Sequence, residues 1–227
     1  MTHKPVLVTL TAPTSAGKSH LLNYIRDVAA LPCLVSTTTR SPRAGEREGV
    51  DYFFISEERS REIEEADGFA ELALYGGVRY GVTRDELAKK LSSGLTFLIV
   101  EPSGIDSYVA PALEMGALHL KYFIHTELET RIQRFKDRIL ADIERDFSKD
   151  LSVQSTVAAV SQTVSKHVDR LVSMTTVESQ WGDAHHWDRT LFGKSDPAEN
   201  LAIILKDVQR ILKEDAERTA WIIARAN

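Results

Sequence analysis

The sequence predicts an α/β fold, in which helices flank a parallel sheet. The first observation is that short apolar, β-branched runs alternate along the chain with segments of helical period. The second is a Gly-Lys-Ser turn directly after the first apolar run, Val6–Leu10, which is where such a fold changes from strand to helix. The third is size: 227 residues, 43% of them hydrophobic, suffice for one α/β domain with an elaboration.

The predicted core strands are the apolar runs, and the predicted helices are the amphipathic segments between them. The strands are Val6–Thr11, Cys33–Thr37, Thr96–Val100, His119–Ile124 and His186–Leu191. The helices are Lys18–Ala29, Ser56–Ala66, Arg84–Ser92, Glu127–Leu140 and Pro197–Ile223. Between Asp51 and Val82 the pattern changes to short strand-like pieces, Tyr52–Ile55, Phe69–Leu74 and Val78–Val82. This region predicts a small, mostly β insertion that could close over a ligand.

The segment from Ala141 to Leu171 predicts a further, long helix. Its apolar residues recur every three or four positions, as Val153, Val157, Val160, Val164, Val168 and Leu171. Valine is a modest helix former, so this valine stripe requires a packing partner. One interpretation buries the stripe on its own domain, and the other makes it a dimer seam or part of an enlarged moving lid.

Composition narrows the class of protein. The net charge of −5 argues against binding nucleic acid over a broad surface. A single cysteine, Cys33, excludes an internal disulfide and favours a reducing compartment. The first apolar run is too short for a signal peptide, and no apolar run is long enough to span a bilayer. We therefore expect a cytoplasmic protein without a membrane or nucleic-acid partner.

The first phosphate motif is the loop after Val6–Leu10, which reads Ala12-Pro13-Thr14-Ser15-Ala16-Gly17-Lys18-Ser19. In a P-loop, successive backbone N–H groups curl around phosphate oxygens at a helix N-terminus. Lys18 would reach the terminal phosphates of a donor, and Ser19 would hold Mg²⁺ through its hydroxyl. Ala12 replaces the first glycine of the usual pattern, and Ser15 stands where a glycine is frequent.

A second phosphate motif lies between Thr38 and Tyr52. Arg40 and Arg43 are three residues apart, Pro42 stiffens the loop between them, and Tyr52 adds a phenol. A guanidinium donates two parallel hydrogen bonds to a phosphate, which suits this pair to an acceptor phosphate. A solvated loop would explain the arginines in isolation. A donor site together with an acceptor site implies phosphoryl transfer between nucleotides.

These residues resemble the guanylate kinase family of P-loop nucleoside monophosphate kinases. The similarity runs from about Val6 to Val208 and is interrupted after Leu140. Its most specific parts are Ser36–Ser56, Phe69-Ala70-Glu71 and Tyr80-Gly81.

The resemblance implies a role for each matching residue. The ATP site would contain Ala12, Pro13, Thr14, Ser15, Ala16, Gly17, Lys18, Ser19 and His20. The nucleoside monophosphate (NMP) site would contain Ser36, Arg40, Arg43, Glu46, Tyr52, Glu71, Tyr80, Val82 and Glu101. The catalytic cations would be Lys18, Arg40, Arg134, Arg138 and Arg170. Ser19 would hold Mg²⁺, with Glu101 assisting through a water.

The resemblance also implies an organisation within one kinase domain, residues 1–227. The core would comprise 1–34, 95–125 and 185–227, with the NMP-binding region at 35–94. Residues 126–184 would form a helical lid, enlarged by an insertion at 141–166, and a homodimer could form through 141–172. ATP and Mg²⁺ are the implied cofactors.

Four positions depart from the family pattern. Val82 replaces a serine or threonine that would donate to guanine O6, and Ile99 and Glu101 replace two aspartates at a strand end. Gly193 stands where the family tends to have an asparagine near the ATP adenine. The acceptor is therefore predicted to be GMP or dGMP, with a modified or different (deoxy)nucleoside monophosphate as the alternative.

Two further alternatives concern the class of function. Some guanylate-kinase-like domains have lost catalysis and bind peptides, but the intact Lys18 and Ser19 favour an enzyme. A kinase for a sugar bisphosphate is a third interpretation, and it would not need Ser36 and Glu71.

Overall fold

The computed structural model describes residues 4–42, 45–75, 77–148 and 152–226. Its central sheet contains β1 (Val6–Thr11), β6 (Leu95–Ile99), β7 (Leu118–His125) and β8 (Arg189–Phe192). The strand order is β6-β1-β7-β8, and every pair is parallel. All six residues of β1 are buried, as expected for the central strand of a sheet covered on both faces. The predicted α/β fold with a parallel sheet is confirmed.

A second, smaller sheet contains β2 (Thr37–Thr38), β3 (Phe53–Phe54), β4 (Phe69–Tyr75) and β5 (Val78–Thr83). Its order is β3-β2-β5-β4, with β2 parallel to β3 and antiparallel to β5. This is the mostly β insertion that the short strand-like pieces predicted.

Helices cover the sheets and form a projecting hairpin. They are α1 (Lys18–Asn23), α2 (Glu57–Glu65), α3 (Arg84–Leu91), α4 (Pro102–Glu114), α5 (Leu128–Phe147), α6 (Val153–Thr175) and α7 (Pro197–Ala226). A π-helical turn at Tyr24–Val28 continues α1, and a 3₁₀ helix at Glu178–Asp183 follows α6.

The core consists of two apolar clusters on opposite faces of β1. Val6, Val8 and Leu10 pack with residues of α1 and α7 in the first cluster. Leu7 belongs to the second cluster, which α3, α4 and β5 complete. Alternation along β1 thus places successive side chains in different layers.

Three predicted elements differ in the structure. The segment Ala141–Leu171 is not one helix, since α5 continues to Phe147 and α6 begins at Val153. Cys33–Thr37 is not a continuous strand: Cys33 forms an isolated bridge with Phe97, and only Thr37 continues into β2 of the other sheet. The apolar run passes from the edge of the central sheet, beside β6, to β2 of the smaller sheet, so it belongs to neither sheet along its whole length. The predicted helix Lys18–Ala29 is α-helical only to Asn23, because the backbone then widens into the π-helical turn.

Helix α4 has no counterpart in the sequence-based prediction. It begins at Pro102, includes Gly104 and contains Pro111 in its interior, and proline and glycine are the weakest helix formers. Proline is nevertheless well suited to the first helical position. Burial of Ile105 and Tyr108 against the second cluster outweighs the poor propensity.

Helices α5 and α6 pack on each other as a hairpin, and the face of α6 that meets α5 is polar. His167 Nε2 lies 3.0 Å from Asp142 Oδ2, and the Thr163 hydroxyl donates to Asp146 Oδ2 at 2.6 Å. The valine stripe points elsewhere: Val153, Val157, Val164, Val168 and Leu171 are 40–80% exposed. The prediction that this stripe is buried on its own domain is therefore wrong. Among the described helices, none is both long and apolar enough to cross a membrane.

Candidate active site

A cavity of about 490 Å³ lies over the loop that joins β1 to α1. We call it the donor cavity. It is lined by Thr14, Ser15, Gly17, Lys18, Ser19, His20, Arg134, Arg138, Arg170 and Gly193. Four of these side chains are cationic at neutral pH, so the cavity suits an anion of several charges.

Two residues of this loop have left-handed backbone conformations. Gly17 has φ +101°, and Ser15 has φ +61° although it carries a side chain. Gly193, which follows β8, closes the loop from the other side. A Cβ at Gly193 would overlap the carbonyl oxygen of Ala16 and the hydroxyl of Thr126. An asparagine therefore cannot occupy this backbone position, and close contact between the strand end and the loop requires glycine.

A buried ion pair between Arg131 and Glu178 fixes Thr14 in the loop between β1 and α1. The carboxylate of Glu178 accepts from the Thr14 N–H and from the Thr14 hydroxyl, each at 2.7 Å. Arg131 donates to the same carboxylate at 2.9 Å and to the Thr14 carbonyl at 2.9 Å. Glu178 and Arg131 are 3% and 4% exposed. The backbone of Thr14 is thereby fixed by residues far from it in the sequence.

Lys18 lies deep in the donor cavity, where its ammonium donates to the Ala12 carbonyl at 3.3 Å. Burial lowers the pKa of Lys18, and the nearby Arg170 and Arg138 lower it further, whereas Glu178 and Glu101 oppose this shift. A bound polyphosphate would raise the pKa of Lys18, because an adjacent anion stabilises the ammonium.

The arginines of the α5–α6 hairpin meet the loop directly. Arg134 donates to the carbonyls of Ser15 and Gly193, both at 3.2 Å. Arg138 lies 3.4 Å from the Ser15 hydroxyl, and burial together with Arg170 lowers its pKa. The three predicted lid arginines thus share one cavity with Lys18.

A second cavity of about 760 Å³ lies between the smaller sheet, α4 and α6. We call it the acceptor cavity. It is lined by Ser36, Arg40, Tyr52, Glu71, Ala73, Leu74, Tyr80, Gly81, Ile99, Val100, Glu101, Ser103, Gly104, Tyr108, Lys166, Asp169 and Arg170. Arg170 lines both cavities, so it lies where their contents would meet.

Arg40 is fixed in the acceptor cavity by aromatic rings and a carboxylate. Its guanidinium lies 5.0 Å from the centre of the Tyr52 ring and 5.7 Å from that of Phe54. Two of its nitrogens donate to Glu46 at 2.6 and 2.7 Å, which raises the pKa of Arg40. Glu46 thus occupies the fork that the sequence assigned to a phosphate. The buried Nε of Arg40 has no hydrogen-bond partner among the described residues.

Glu71 is presented to the acceptor cavity by an irregularity in β4. The register between β4 and β5 shifts between Phe69 and Glu71, and such a bulge redirects a side chain. The hydroxyl of Tyr108 donates to Glu71 Oε2 at 3.1 Å. Burial raises the pKa of Glu71 and the Tyr108 hydrogen bond lowers it, while nearby Glu101 raises it.

Comparison with known proteins decides the family. The family model described as guanylate kinase matches residues 3–178. The chain belongs to the guanylate kinase family. A guanylate kinase of Chlamydia muridarum is 32% identical over 70% of this chain and 77% of its own length. One of Fusobacterium nucleatum is 37% identical over 56% of this chain and 69% of its own. The chain is therefore a phosphotransferase of the nucleoside monophosphate kinase type.

A solved structure supports the fold separately. The crystal structure of guanylate kinase from Anaplasma phagocytophilum superposes with a TM-score of 0.53 at 19% identity. The match covers 93% of this chain and 88% of that one, so the likeness concerns the overall fold.

Within this family framework, most residues of the predicted ATP site lie at the donor cavity. Ala12, Pro13 and Ala16 do not line it, because their side chains are buried under the loop. Their carbonyls instead accept from Lys18, from the Ala16 N–H and from the Thr126 hydroxyl, respectively.

The predicted NMP site requires one correction. Val82 does not line the acceptor cavity, because its side chain is buried in the apolar cluster with Leu87 and Ile105. Glu46 contributes through Arg40, and Arg43 lies outside the described residues. The predicted residues that do line the cavity are Ser36, Arg40, Tyr52, Glu71, Tyr80 and Glu101.

Three residues that fix the site through hydrogen bonds were missed by sequence reasoning: Arg131, Glu178 and Tyr108. Arg131 precedes Arg134 and Arg138 by three and seven residues, so the helical spacing of the lid arginines could have revealed it. Glu178 carries no local signal, because its partner Thr14 is 164 residues away. Tyr108 was missed because helix α4 was not predicted.

Proposed function

We propose that this chain transfers the terminal phosphate of ATP to a nucleoside monophosphate, with GMP or dGMP as the acceptor. The proposal rests on the observation that Arg170 lines both the donor and the acceptor cavity. Phosphoryl transfer needs in-line placement and neutralisation of charge on the migrating group, with little covalent work by the protein. A cation shared by the two cavities meets that requirement.

On the donor side, the loop N–H groups and Lys18 would bind the ATP phosphates. Arg134 and Arg138 would exchange their loop contacts for phosphate oxygens as the lid, residues 126–184, closes. Closure would exclude water that could otherwise hydrolyse ATP. No catalytic base is required, because the attacking atom is already a phosphate oxygen of the acceptor.

Mg²⁺ fits the residues present. Magnesium in kinases is held by one or two protein oxygens and by substrate phosphates, not by a cage of protein ligands. Ser19 lines the donor cavity, and the carboxylate of Glu101 is near enough to raise the pKa of Lys18. Ser19 would hold the ion and Glu101 would orient one of its waters. When bound, Mg²⁺ supplies positive charge at the phosphates.

On the acceptor side, residues 35–94 would bind the monophosphate. Arg40 would exchange its contact with Glu46 for the phosphate, which Tyr52 and Tyr80 would also hold. Glu71 and Ser36 would contact the base. An ionised carboxylate can accept the two adjacent donors of guanine, N1–H and the 2-amino group. Because Val82 faces the core, its lack of a hydroxyl does not count against guanine.

A second candidate acceptor is a modified or different (deoxy)nucleoside monophosphate. Ile99 and Glu101 favour it, because both line the acceptor cavity where the family has aspartates. Replacement of a short carboxylate by isoleucine removes a hydrogen-bond acceptor from the acceptor cavity and adds apolar surface to it.

Turnover decides between these acceptors. ADP release is measured with ATP, Mg²⁺ and a panel of natural and modified NMPs and dNMPs, for the wild-type chain and Glu71→Ala. We expect GMP or dGMP to have the highest kcat/KM and Glu71→Ala to lower it selectively. Faster turnover of another base would favour the second candidate, and absence of turnover with every monophosphate would refute the kinase proposal.

The valine stripe supports a homodimer through residues 141–172. Solvent exposure of five apolar side chains along one helix face is unusual unless the face meets a partner. Val164→Lys should shift the mass measured by light scattering from dimer to monomer, whereas Val28→Lys, at a 67% exposed site elsewhere, should not. A wild-type chain that stays monomeric at about 100-fold the assay concentration would contradict the dimer, since mass action favours association as concentration rises.

A further inference from the structure

Helix α4 holds the carboxylate of Glu71, the residue proposed to contact the base. Helix α4 packs against β4, and both Gly104 and Tyr108 of α4 lie beside the Glu71 carboxylate. They are four positions apart and therefore share one helix face. A Cβ at Gly104 would lie 3.4 Å from Glu71 Oε1, and the Tyr108 hydroxyl lies 3.1 Å from Glu71 Oε2. The Glu71 carboxylate thus accepts from one turn of α4 at Tyr108, and the turn before it leaves room for Oε1 because Gly104 has no side chain.

Tyr108 is a rigid support. Its side chain is 1% exposed and belongs to the apolar cluster formed with Val82, Leu87 and Ile105. A packed ring with few rotatable bonds fixes the position of its hydroxyl. Because the Tyr108 hydroxyl has a fixed position, its hydrogen bond orients the Glu71 carboxylate.

We propose that Tyr108 is a positioning residue that sets base selectivity: its hydroxyl holds Glu71 as a two-oxygen acceptor for a base with two adjacent N–H donors. This inference rests on the proposed kinase function and on Glu71 as the residue that contacts the base. The hydroxyl uses one lone pair of Oε2 and leaves both oxygens able to accept from the base.

The same hydrogen bond controls the protonation of Glu71. Burial raises the pKa of Glu71, and Tyr108 opposes that rise. Of the other groups, Glu101 raises the pKa of Glu71 further. Tyr108 is thus the group that favours the ionised carboxylate. The other titratable or charged side chains that line this cavity are Arg40, Tyr52, Tyr80, Glu101, Lys166, Asp169 and Arg170.

Protonation of Glu71 would change which base it matches. A carboxylic acid donates one hydrogen bond and accepts one. Adenine presents that complement, with a 6-amino donor beside the N1 acceptor, whereas guanine presents two donors side by side. Loss of the Tyr108 hydroxyl should therefore reduce discrimination against adenine as well as affinity for guanine.

The test is Tyr108→Phe, which removes the hydroxyl and keeps the ring. We expect KM for GMP to rise about 10-fold, as for loss of a hydrogen bond to a charged group, with KM for ATP unchanged. The ratio of kcat/KM for GMP to that for AMP should fall, and the acid limb of kcat/KM for GMP should move to higher pH. The direction of the pH shift follows because a phenylalanine ring donates no hydrogen bond that could oppose the raised pKa of Glu71.

Tyr122→Phe is the matched control. Tyr122 is also fully buried, and its hydroxyl donates to Asp207 at 3.1 Å, away from the residues that line either cavity. It should leave KM for GMP, base selectivity and the pH profile as in the wild type. A thermal unfolding scan of both variants verifies that each is folded.

A double-mutant cycle separates positioning from packing. If Tyr108 acts through Glu71, Tyr108→Phe should have no further effect on GMP selectivity in a Glu71→Ala background, which has no side-chain acceptor for the Tyr108 hydroxyl. An unchanged GMP KM, selectivity and acid limb in Tyr108→Phe would overturn the inference. A wild-type chain that phosphorylates no monophosphate would instead refute the proposed function, and calorimetric GMP binding by the wild type and Tyr108→Phe would then judge the role of Tyr108.

Discussion

The donor and acceptor cavities are built in different ways. The donor cavity is shaped by a backbone loop that a buried ion pair and a glycine hold in place. The acceptor cavity is shaped by side chains, among them a guanidinium on an aromatic ring and a carboxylate on a tyrosine hydroxyl. We therefore expect the donor cavity to tolerate different side chains in the loop, such as Ala12 and Ser15, as long as the Arg131–Glu178 pair, which we call the clamp, remains. In the acceptor cavity, we expect single substitutions to change substrate selectivity.

The largest expected effect comes from Lys18, the cation of the loop that we propose binds the ATP phosphates. Lys18→Met should lower kcat/KM by roughly 10³-fold or more, because it removes the cation that would neutralise charge on the ATP phosphates. A coupled ADP-release assay measures it. Lys213→Met, at a side chain that is 79% exposed, should have no effect. Activity of Lys18→Met within about 10-fold of the wild type would break the comparison, since the loop backbone alone would then suffice.

Removal of the clamp should affect stability and the donor cavity together. Glu178→Gln leaves Arg131 buried without its counter-charge, which typically costs about 3–5 kcal/mol. We expect a corresponding fall in the free energy of unfolding in urea and a raised KM for ATP, with KM for the acceptor unchanged. Glu214→Gln breaks an exposed pair with Arg210 and should change stability by less than about 0.5 kcal/mol. Equal rises in KM for ATP and KM for the acceptor would show that the clamp supports both cavities and not the donor cavity alone.

The smallest of the three effects should appear at the acceptor. Arg40→Lys keeps the charge but loses the planar fork and its stacking on Tyr52, so KM for the monophosphate should rise about 10-fold. KM for ATP should stay as in the wild type. Arg59→Lys, at an exposed arginine paired with Glu62, serves as the matched control. An effect on ATP alone would contradict the assignment of Arg40 to the acceptor cavity.

The same contrast explains what the sequence could predict. The loop Ala12–Ser19 and the strand before it form a local pattern, so the sequence alone locates the donor cavity. Arg40 and Tyr52 belong to the phosphate motif predicted between Thr38 and Tyr52, whereas Glu71 could be placed in the acceptor cavity only through the family resemblance. The β core was predicted because β-branched apolar runs have a strong local preference for strands.

The remaining features depend on contacts between distant parts of the chain. Burial decides helix α4 against the propensities of its prolines and its glycine. The role of Glu178 exists only once the chain has folded, because Thr14 lies at the other end of it. The spacing of the valine stripe predicts one face of a helix but not what covers that face. The packed face of α6 is defined instead by polar contacts of Thr163 and His167.

The buried Cys33 makes the chain a favourable background for site-specific labelling. It is the only cysteine of the sequence, it is 6% exposed, and burial raises its pKa to about 11. Maleimides react with the thiolate, so this thiol should stay unlabelled at neutral pH. A dye pair on Leu140→Cys and Val28→Cys, both more than half exposed in the wild type, would then report the distance between the hairpin and the core during turnover.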